Sequence, residues 1–298
     1  MKDVGNSSGS SSVRSWEVLG SLLVLLVFAD SNLAYAANFT VNSTADAVDS
    51  NPGNGICADS SGNCTLRAAI MEANALAGAD TITLPAGTYV LTIPGVNENA
   101  AAQGDLDITA DLTINGAGAT TTIVDGNGTG LFDRVFDILA GTVTISNVAI
   151  RGGNHIFGGS GGDGGGGGIS NSGTLTLNGS TVSGNNVAGG GNNDNGGGIL
   201  NKAGATATVN NSTVSGNALT GFRFGGGIAN FGTIALNSST VSGNTTNGSG
   251  GGISNAGSLT LSNSTISGNG ASCGGAGCRW LPSNRLRPDV RWMQQPGN

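Results

Sequence analysis

The stretch Gly196-Gly197-Gly198-Ile199-Leu200-Asn201 decides the fold, because closely similar stretches recur along the chain. Three glycines precede an isoleucine at four places, and the successive isoleucines are 30, 29 and 25 residues apart. These isoleucines are Ile169, Ile199, Ile228 and Ile253. Repeats of this length are typical of solenoids, in which each unit forms one turn of a coil and becomes stable only when stacked on its neighbours.

Each unit continues with two short stretches whose alternation is typical of β-strands. The first carries apolar residues two positions apart, such as Leu175 and Leu177, and the second reads Ser-Thr-Val/Ile-Ser-Gly-Asn. Alternate side chains of a strand point to opposite faces, so these apolar side chains share one face. We predict three short strands per unit, with the apolar side chains inside. The predicted fold class is all-β, a right-handed parallel β-helix of the pectin-lyase-like type.

Asparagine and glycine mark the predicted corners between strands. Glycine tolerates positive φ and close approach of two backbones, and stacked asparagine amides can form hydrogen bonds along the coil axis. We therefore interpret the asparagines as structural rather than ligand-binding. One column is Asn171, Asn201, Asn230 and Asn255, and the other is Asn185, Asn217, Asn244 and Asn269.

A short N-terminal capping helix is predicted directly before the coil. Apolar residues recur there at helical spacing, after Thr65 as a plausible N-cap and before Gly78 as a plausible C-terminal stop. The apolar stripe is Leu66, Ala69, Ile70, Ala73 and Ala77. Such a helix would cover the open edge of the first turn, where unpaired backbone groups invite aggregation.

The segment from Phe39 to Ala75 resembles the CSLREA domain of secreted bacterial β-helix proteins. The namesake motif is Cys-Ser-Leu-Arg-Glu-Ala, and this chain has Cys64-Thr65-Leu66-Arg67-Ala68-Ala69. Alanine at position 68 removes one half of the capping box that glutamate would complete. The repeats of residues 165–269 also resemble those of chlamydial polymorphic outer membrane proteins. Both resemblances imply an exported surface protein.

Four segments follow from these patterns. Residues 1–36 are predicted to be a signal peptide, because the apolar run 18–28 is short for a membrane span and Ala34-Tyr35-Ala36 fits a cleavage site. An uncleaved anchor is the alternative. Residues 37–79 form the CSLREA-like cap, 80–270 the coil, and 271–298 an irregular tail that suggests a frameshift or truncation. After cleavage no transmembrane span is expected, and the protein would be extracellular or on the bacterial outer surface.

The four cysteines fit an oxidising compartment. Cys57 and Cys64 are predicted to form a disulfide. Zinc is the alternative, although zinc-ligand pairs are usually spaced two to four residues apart and no histidine is nearby. Whether Cys273 and Cys278 also pair is left open.

Charge and composition exclude some functions. The net charge of −7 disfavours nucleic acid, which requires a basic face. The sequence identifies no catalytic, cofactor-binding or metal-binding residue. Asp105, Asp107 and Asp111 are interpreted as a solvated edge, with a catalytic or metal-binding pair as the alternative. His155, the single histidine, has no matching nucleophile and is interpreted as an isolated loop residue.

We therefore predict an exported structural or adhesive β-helix protein without an evident catalytic site or cofactor. Surface glycans or other cell-surface proteins are the expected partners. The alternative is a carbohydrate-active enzyme, a polysaccharide lyase or hydrolase, with its acidic residues near Asp105 and Asp107. Outward Thr-x-Thr rows, such as Thr174/Thr176 and Thr206/Thr208, suit an exposed strand face and could also order water or contact a glycan surface.

Overall fold

The computed structural model describes residues 35–96, 98–128, 133–156, 164–188, 194–220 and 223–272. These residues form a parallel β-helix, which confirms the predicted all-β coil. Nearly all of the predicted signal peptide, nearly all of the tail, and Cys273 and Cys278 lie outside the described residues.

The described chain contains 26 strands and one helix, α1 (Leu66–Ala75). In chain order the strands are β1 (Asn38–Thr40), β2 (Asp80–Leu84), β3 (Gly87–Val90), β4 (Leu106–Ile108), β5 (Leu112–Gly116), β6 (Thr122–Asp125), β7 (Phe136–Ile138), β8 (Thr142–Ser146), β9 (Ala149–Arg151), β10 (Asn154–His155), β11 (Ile169–Asn171), β12 (Thr174–Asn178), β13 (Thr181–Ser183), β14 (Asn186–Val187), β15 (Ile199–Asn201), β16 (Thr206–Asn210), β17 (Thr213–Ser215), β18 (Ala218–Leu219), β19 (Ile228–Asn230), β20 (Thr233–Asn237), β21 (Thr240–Ser242), β22 (Thr245–Thr246), β23 (Ile253–Asn255), β24 (Ser258–Ser262), β25 (Thr265–Ser267) and β26 (Gly270–Ala271).

The strands form four parallel sheets that run along the coil. Sheet I has the order β1-β2-β5-β8-β12-β16-β20-β24, and sheet II has the order β3-β6-β9-β13-β17-β21-β25. Sheet III has the order β4-β7-β11-β15-β19-β23, and sheet IV has the order β10-β14-β18-β22-β26. Sheet IV is a fourth strand per turn that the sequence did not predict, because its strands have two residues each and show no alternation.

The interior is built by stacking equivalent apolar residues in register. Leu177 pairs with Val209, which pairs with Leu236, and all three are fully buried. In sheet II, Val182, Val214 and Val241 stack in the same way. Full burial of each such side chain contributes roughly 1.5–3 kcal/mol. The predicted inward columns are therefore confirmed.

The predicted helix is present, but it is not the first element. Strand β1 precedes it and pairs with β2, so α1 lies between the first two strands of sheet I. Thr65 is the N-cap, and its hydroxyl oxygen accepts a hydrogen bond from the amide of Ala68. The helix ends at Ala75, because Leu76 has an extended backbone conformation. Ala77 therefore lies beyond the helix and is exposed.

Within the described part of the chain, no helix has the length and apolar character needed to cross a membrane.

The loop before the helix contains the predicted disulfide. Cys57 and Cys64 are bonded to each other, which confirms the pairing and excludes a zinc site made from the two free thiolates. The carboxylate of Glu72 in the helix accepts hydrogen bonds from the amides of Gly53 and Gly55. The disulfide and these hydrogen bonds fix a loop that has few apolar residues of its own.

The three glycines that precede each isoleucine have separate structural reasons. Gly196 has φ of +72°, which is unfavourable for other residues. A Cβ on Gly197 would overlap the carbonyl oxygen of Gly226 in the next turn. A Cβ on Gly198 would lie 2.8 Å from the carbonyl oxygen of Gly227 and 2.8 Å from Nδ2 of Asn217. The glycines therefore allow one turn to approach the next.

The asparagine columns are hydrogen-bonded ladders, as predicted. Nδ2 of Asn185 donates to Oδ1 of Asn217 at 2.9 Å, and Nδ2 of Asn217 donates to Oδ1 of Asn244 at 2.9 Å. Nδ2 of Asn217 also donates to the carbonyl oxygen of Val182 at 3.0 Å. The ladders thus satisfy polar groups that the close corners remove from water.

Replacing a buried ladder residue should destabilise the coil more than replacing a partly exposed one. Asn217→Ala removes the acceptor of the buried backbone amide of Asn185 and breaks the hydrogen bonds from Nδ2 of Asn217 to Asn244 and to the carbonyl oxygen of Val182, so we expect a loss of about 2–4 kcal/mol. Asn210→Ala, in the partly exposed amide row of the same turn, should cost about 1 kcal/mol or less. Urea unfolding followed by circular dichroism measures both, and equal losses would contradict the buried-ladder argument.

Candidate functional site

The carboxylates of the first two turns meet on the outer face of sheet III. Asp107 of β4 and Asp137 of β7 are paired in register, and both alternate with apolar side chains that point into the coil. Neighbouring strands lie about 4.8 Å apart, so the two side chains are direct neighbours. In the next turn, the same row continues with Ser170 of β11. Two like charges in adjacent positions of a sheet repel each other.

These carboxylates are buried, so the predicted solvated edge is wrong for Asp105 and Asp107. Asp105 is 5% exposed and Asp107 is 1% exposed, whereas Asp111 is exposed as predicted. The reason is that residues 101–105 fold back over β4. The amide of Ala101 donates a hydrogen bond of 3.0 Å to Oδ2 of Asp107. Sequence alternation placed Asp107 outward correctly but could not reveal the segment that covers it.

Arg67 of α1 holds this covering segment in place. Its guanidinium donates to the carbonyl oxygens of Ala101 at 2.9 Å, Gly104 at 2.8 Å and Asp105 at 3.0 Å. It also forms an ion pair with Asp46 at 2.6 Å, and its side chain is fully buried. In the sequence, Arg67 stands out only as part of the CSLREA-like motif, which predicts no role for it. The available signal was an arginine directly beside the apolar stripe of the helix.

Arg134 is the basic residue that pairs with the carboxylates of this site. Nη1 of Arg134 lies 2.6 Å from Oδ2 of Asp137, and its Nε lies 3.4 Å from Oδ2 of Asp105. Asp133 is also near, with Oδ1 at 3.8 Å from the same Nε. Asp105, Asp107, Asp133 and Asp137 are termed the acidic cluster below. Three of these carboxyl groups thus lie around one guanidinium, and the fourth, that of Asp107, is next to Asp137 in register.

His155 is not the isolated loop residue that was predicted. It belongs to β10 and is 6% exposed, with Nδ1 at 3.4 Å from Oδ1 of Asp133. The prediction failed because β10 has only two residues and gives no sequence pattern. His155 is therefore a buried neighbour of the acidic cluster.

Burial changes the acidity of two members of the acidic cluster. Burial, reinforced by the negative charge of Asp133, raises the pKa of Asp105 well above its usual value, and the positive charge of Arg134 opposes this. Burial raises the pKa of Asp107 to about 7, the amide of Ala101 opposes the shift, and Glu98 adds to it. Both shifts reflect the cost of keeping an incompletely compensated negative charge away from water. The site therefore favours whatever neutralises it, a proton or a cation.

A second candidate site is the outer face of sheet I, which is a regular array of hydroxyl and amide groups. Thr144, Thr176 and Thr208 lie in register on three adjacent strands, and all are partly exposed. The predicted Thr-x-Thr rows therefore do face outward. From β2 onward the outer array comprises Thr81, Thr83, Thr113, Asn115, Thr142, Thr144, Ser146, Thr174, Thr176, Asn178, Thr206, Thr208, Asn210, Thr233, Ala235, Asn237, Ser258, Thr260 and Ser262. None of these side chains is charged.

Part of this face is fixed by a third amide ladder, which was not predicted from the sequence. Nδ2 of Asn210 donates to Oδ1 of Asn178 at 2.9 Å, and Nδ2 of Asn237 donates to Oδ1 of Asn210 at 2.9 Å. The signal was present, because an asparagine follows the alternating pair in three successive units. We term the outer array of sheet I, including this ladder, the threonine face.

No protein-family model, curated protein or solved structure matches this chain. The resemblance to CSLREA-domain proteins and to polymorphic outer membrane proteins therefore stays a prediction.

Removing the positive charge of the acidic cluster should be strongly destabilising. Arg134→Gln leaves the buried Asp105 and Asp137 without their ion pairs, and a buried charge that loses its partner costs about 3–5 kcal/mol. Arg151→Gln is the matched control, because Arg151 pairs with Asp125 while 48% of its side chain is exposed. Such an exposed pair contributes about 0–1 kcal/mol. The midpoints of thermal unfolding would show the difference, and a mild effect of Arg134→Gln would contradict this account of the site.

Proposed function

We propose that this chain is an exported scaffold of the cell surface or extracellular space that adheres to surface glycans through its threonine face. The observation that carries the proposal is the uncharged, regular hydroxyl and amide array on the longest sheet of the coil. Glycans present hydroxyl groups at regular intervals. Threonine hydroxyls and asparagine amides can each donate and accept hydrogen bonds to such groups.

The threonine face is preordered for weak contacts at many points. The threonine side chains are β-branched and restricted at χ1, and the Asn178–Asn210–Asn237 ladder fixes its amides. A surface that is ordered before binding loses little conformational entropy on binding. The rows repeat about every 4.8 Å along the coil, so many weak contacts can form together.

Export is supported by the apolar run 18–28 and by the Cys57–Cys64 disulfide. Structural disulfides persist in oxidising compartments and are rare in the cytosol. The bacterial outer surface and the extracellular space both meet this condition.

The alternative, a carbohydrate-active enzyme, draws support from the convergence of the acidic cluster. The pKa of Asp107, raised to about 7, would suit a general acid. Asp107 is only 1% exposed, however, and it lies beneath the segment that Arg67 holds. A polysaccharide needs access to the reacting carboxyl groups, so we favour the scaffold. Turnover of acidic glycans that Asp107→Asn abolishes would favour the enzyme instead.

A charge placed on the threonine face should weaken glycan binding. The purified chain is to be incubated with insoluble cellulose, chitin and peptidoglycan, and the bound fraction measured against protein concentration. We expect saturable binding to at least one of them. The double variant Thr176→Lys/Thr208→Lys should weaken it about tenfold, since an unpaired polar group at a contact costs roughly 1–3 kcal/mol.

Thr181→Lys/Thr213→Lys is the matched control, because these threonines occupy neighbouring strands of the same turns on sheet II. This control should bind as the unmodified chain does. Equal loss in both double variants, or no binding to any of the three glycans, would contradict the proposal. Thermal hysteresis of the unmodified chain would instead assign the face to ice.

A further inference from the structure

We propose that Asp105, Asp107 and Asp137 bind one divalent cation of the calcium class, buried between the first two turns of sheet III and the segment that covers them. This inference is independent of the proposed glycan binding. The bound cation would hold the covering segment, residues 101–105, against the coil.

The geometry of the three carboxyl groups suits a single ion. Each of them offers an oxygen atom, and these oxygens all lie within 4.8 Å of one another. An ion such as Ca²⁺ lies about 2.4 Å from its oxygen ligands, so two ligands of one ion are at most about 4.8 Å apart. The oxygen-only donor set is typical of hard cations such as Ca²⁺ and Mg²⁺ rather than of zinc or copper.

The hydrogen bonds leave particular oxygens of this site without partners. Oδ2 of Asp107 accepts from the amide of Ala101, and Oδ2 of Asp137 accepts from Arg134, whereas Oδ1 of each residue is buried and has no hydrogen-bond partner among the described residues. One oxygen of each carboxylate is thus fixed by the protein, as the outer contacts of metal ligands are, and the other is left available. Buried carboxylate oxygens rarely stay without partners.

Ser170 gives a second, independent indication. It is the in-register neighbour of Asp137 in the next turn, it is fully buried, and its Oγ also has no partner in the described part of the chain. Side chains at paired positions of a parallel sheet lie on the same face, so this hydroxyl is the next group after Asp137 in the outer row. Three consecutive positions of one row therefore each carry a buried oxygen that the described residues do not satisfy.

The excess of negative charge in the acidic cluster also favours a bound cation. Three carboxyl groups of the acidic cluster lie around the guanidinium of Arg134, and the fourth, that of Asp107, is adjacent to Asp137 in register. An uncompensated buried charge is costly, and a divalent cation would compensate two of these charges while joining two turns to residue 105. Protons could relieve the same excess, and the experiment below distinguishes the two.

The test is calorimetric titration of the full chain with CaCl₂ at pH 7.5 after removal of metals with EDTA. We expect one cation per chain and a higher midpoint of thermal unfolding in calcium than in EDTA. Asp137→Asn should weaken binding by about 100-fold or more and abolish the thermal shift, since even outer contacts of a metal site contribute 10–100-fold. Asp111→Asn, which alters an exposed carboxylate bonded to the amide of Thr142, should respond as the unmodified chain does.

Hydrogen exchange of the unmodified chain gives a test that requires no variant to fold. Calcium should slow exchange of the Ala101 amide, which donates to Asp107, while leaving Val214 of sheet II unchanged. The proposal is overturned if no heat and no thermal shift occur up to about 10 mM calcium, tenfold beyond the weakest extracellular calcium modules. It is also overturned if Asp137→Asn binds like the unmodified chain, or if exchange at Ala101 does not change.

Discussion

In-register stacking of equivalent residues along parallel strands is the constraint on which this structure depends. A single turn has no interior of its own, because its few inward side chains are covered only by those of the turns above and below. Leu177, Val209 and Leu236 are fully buried because each lies directly on the next. The same rule applies to polar groups, since each ladder amide uses its neighbour as its hydrogen-bond partner. The repeat therefore buries the apolar side chains and supplies hydrogen-bond partners to the polar ones.

The close approach of the turns explains the composition. At the corner before sheet III, a Cβ on the second or third glycine would overlap the next turn or press on a ladder asparagine. The helical cap adds apolar side chains to the interior at the start of the coil. Its buried side chains, Leu66, Ala69, Ile70 and Ala73, pack in the same core as the first turns of the coil.

The first two turns differ from the later ones in chemistry. The outer row of sheet III begins with two aspartates, continues with Ser170, and then becomes apolar at Leu200 and Ala229. The charged part of the row coincides with the segment that Arg67 holds down. Charge is thus concentrated where the cap meets the coil, whereas the threonine face of the same molecule has none. The two proposals therefore assign different roles to the two sites, the first within the structure and the second toward a partner.

The sequence by itself determined the parallel coil, its inward columns, the asparagine ladders, the helix and the Cys57–Cys64 disulfide. Each of these depends on residues close in sequence or on a repeat that can be counted. Only the tertiary structure decided the burial of Asp105, Asp107 and His155, because this burial depends on contacts between segments that share no pattern. Ala101 reaches Asp107, Arg67 reaches Gly104, and Asp133 reaches His155 through folding of the chain, not through periodicity. A repeat predicts its own neighbours, but it contains no information about a segment that folds back over it.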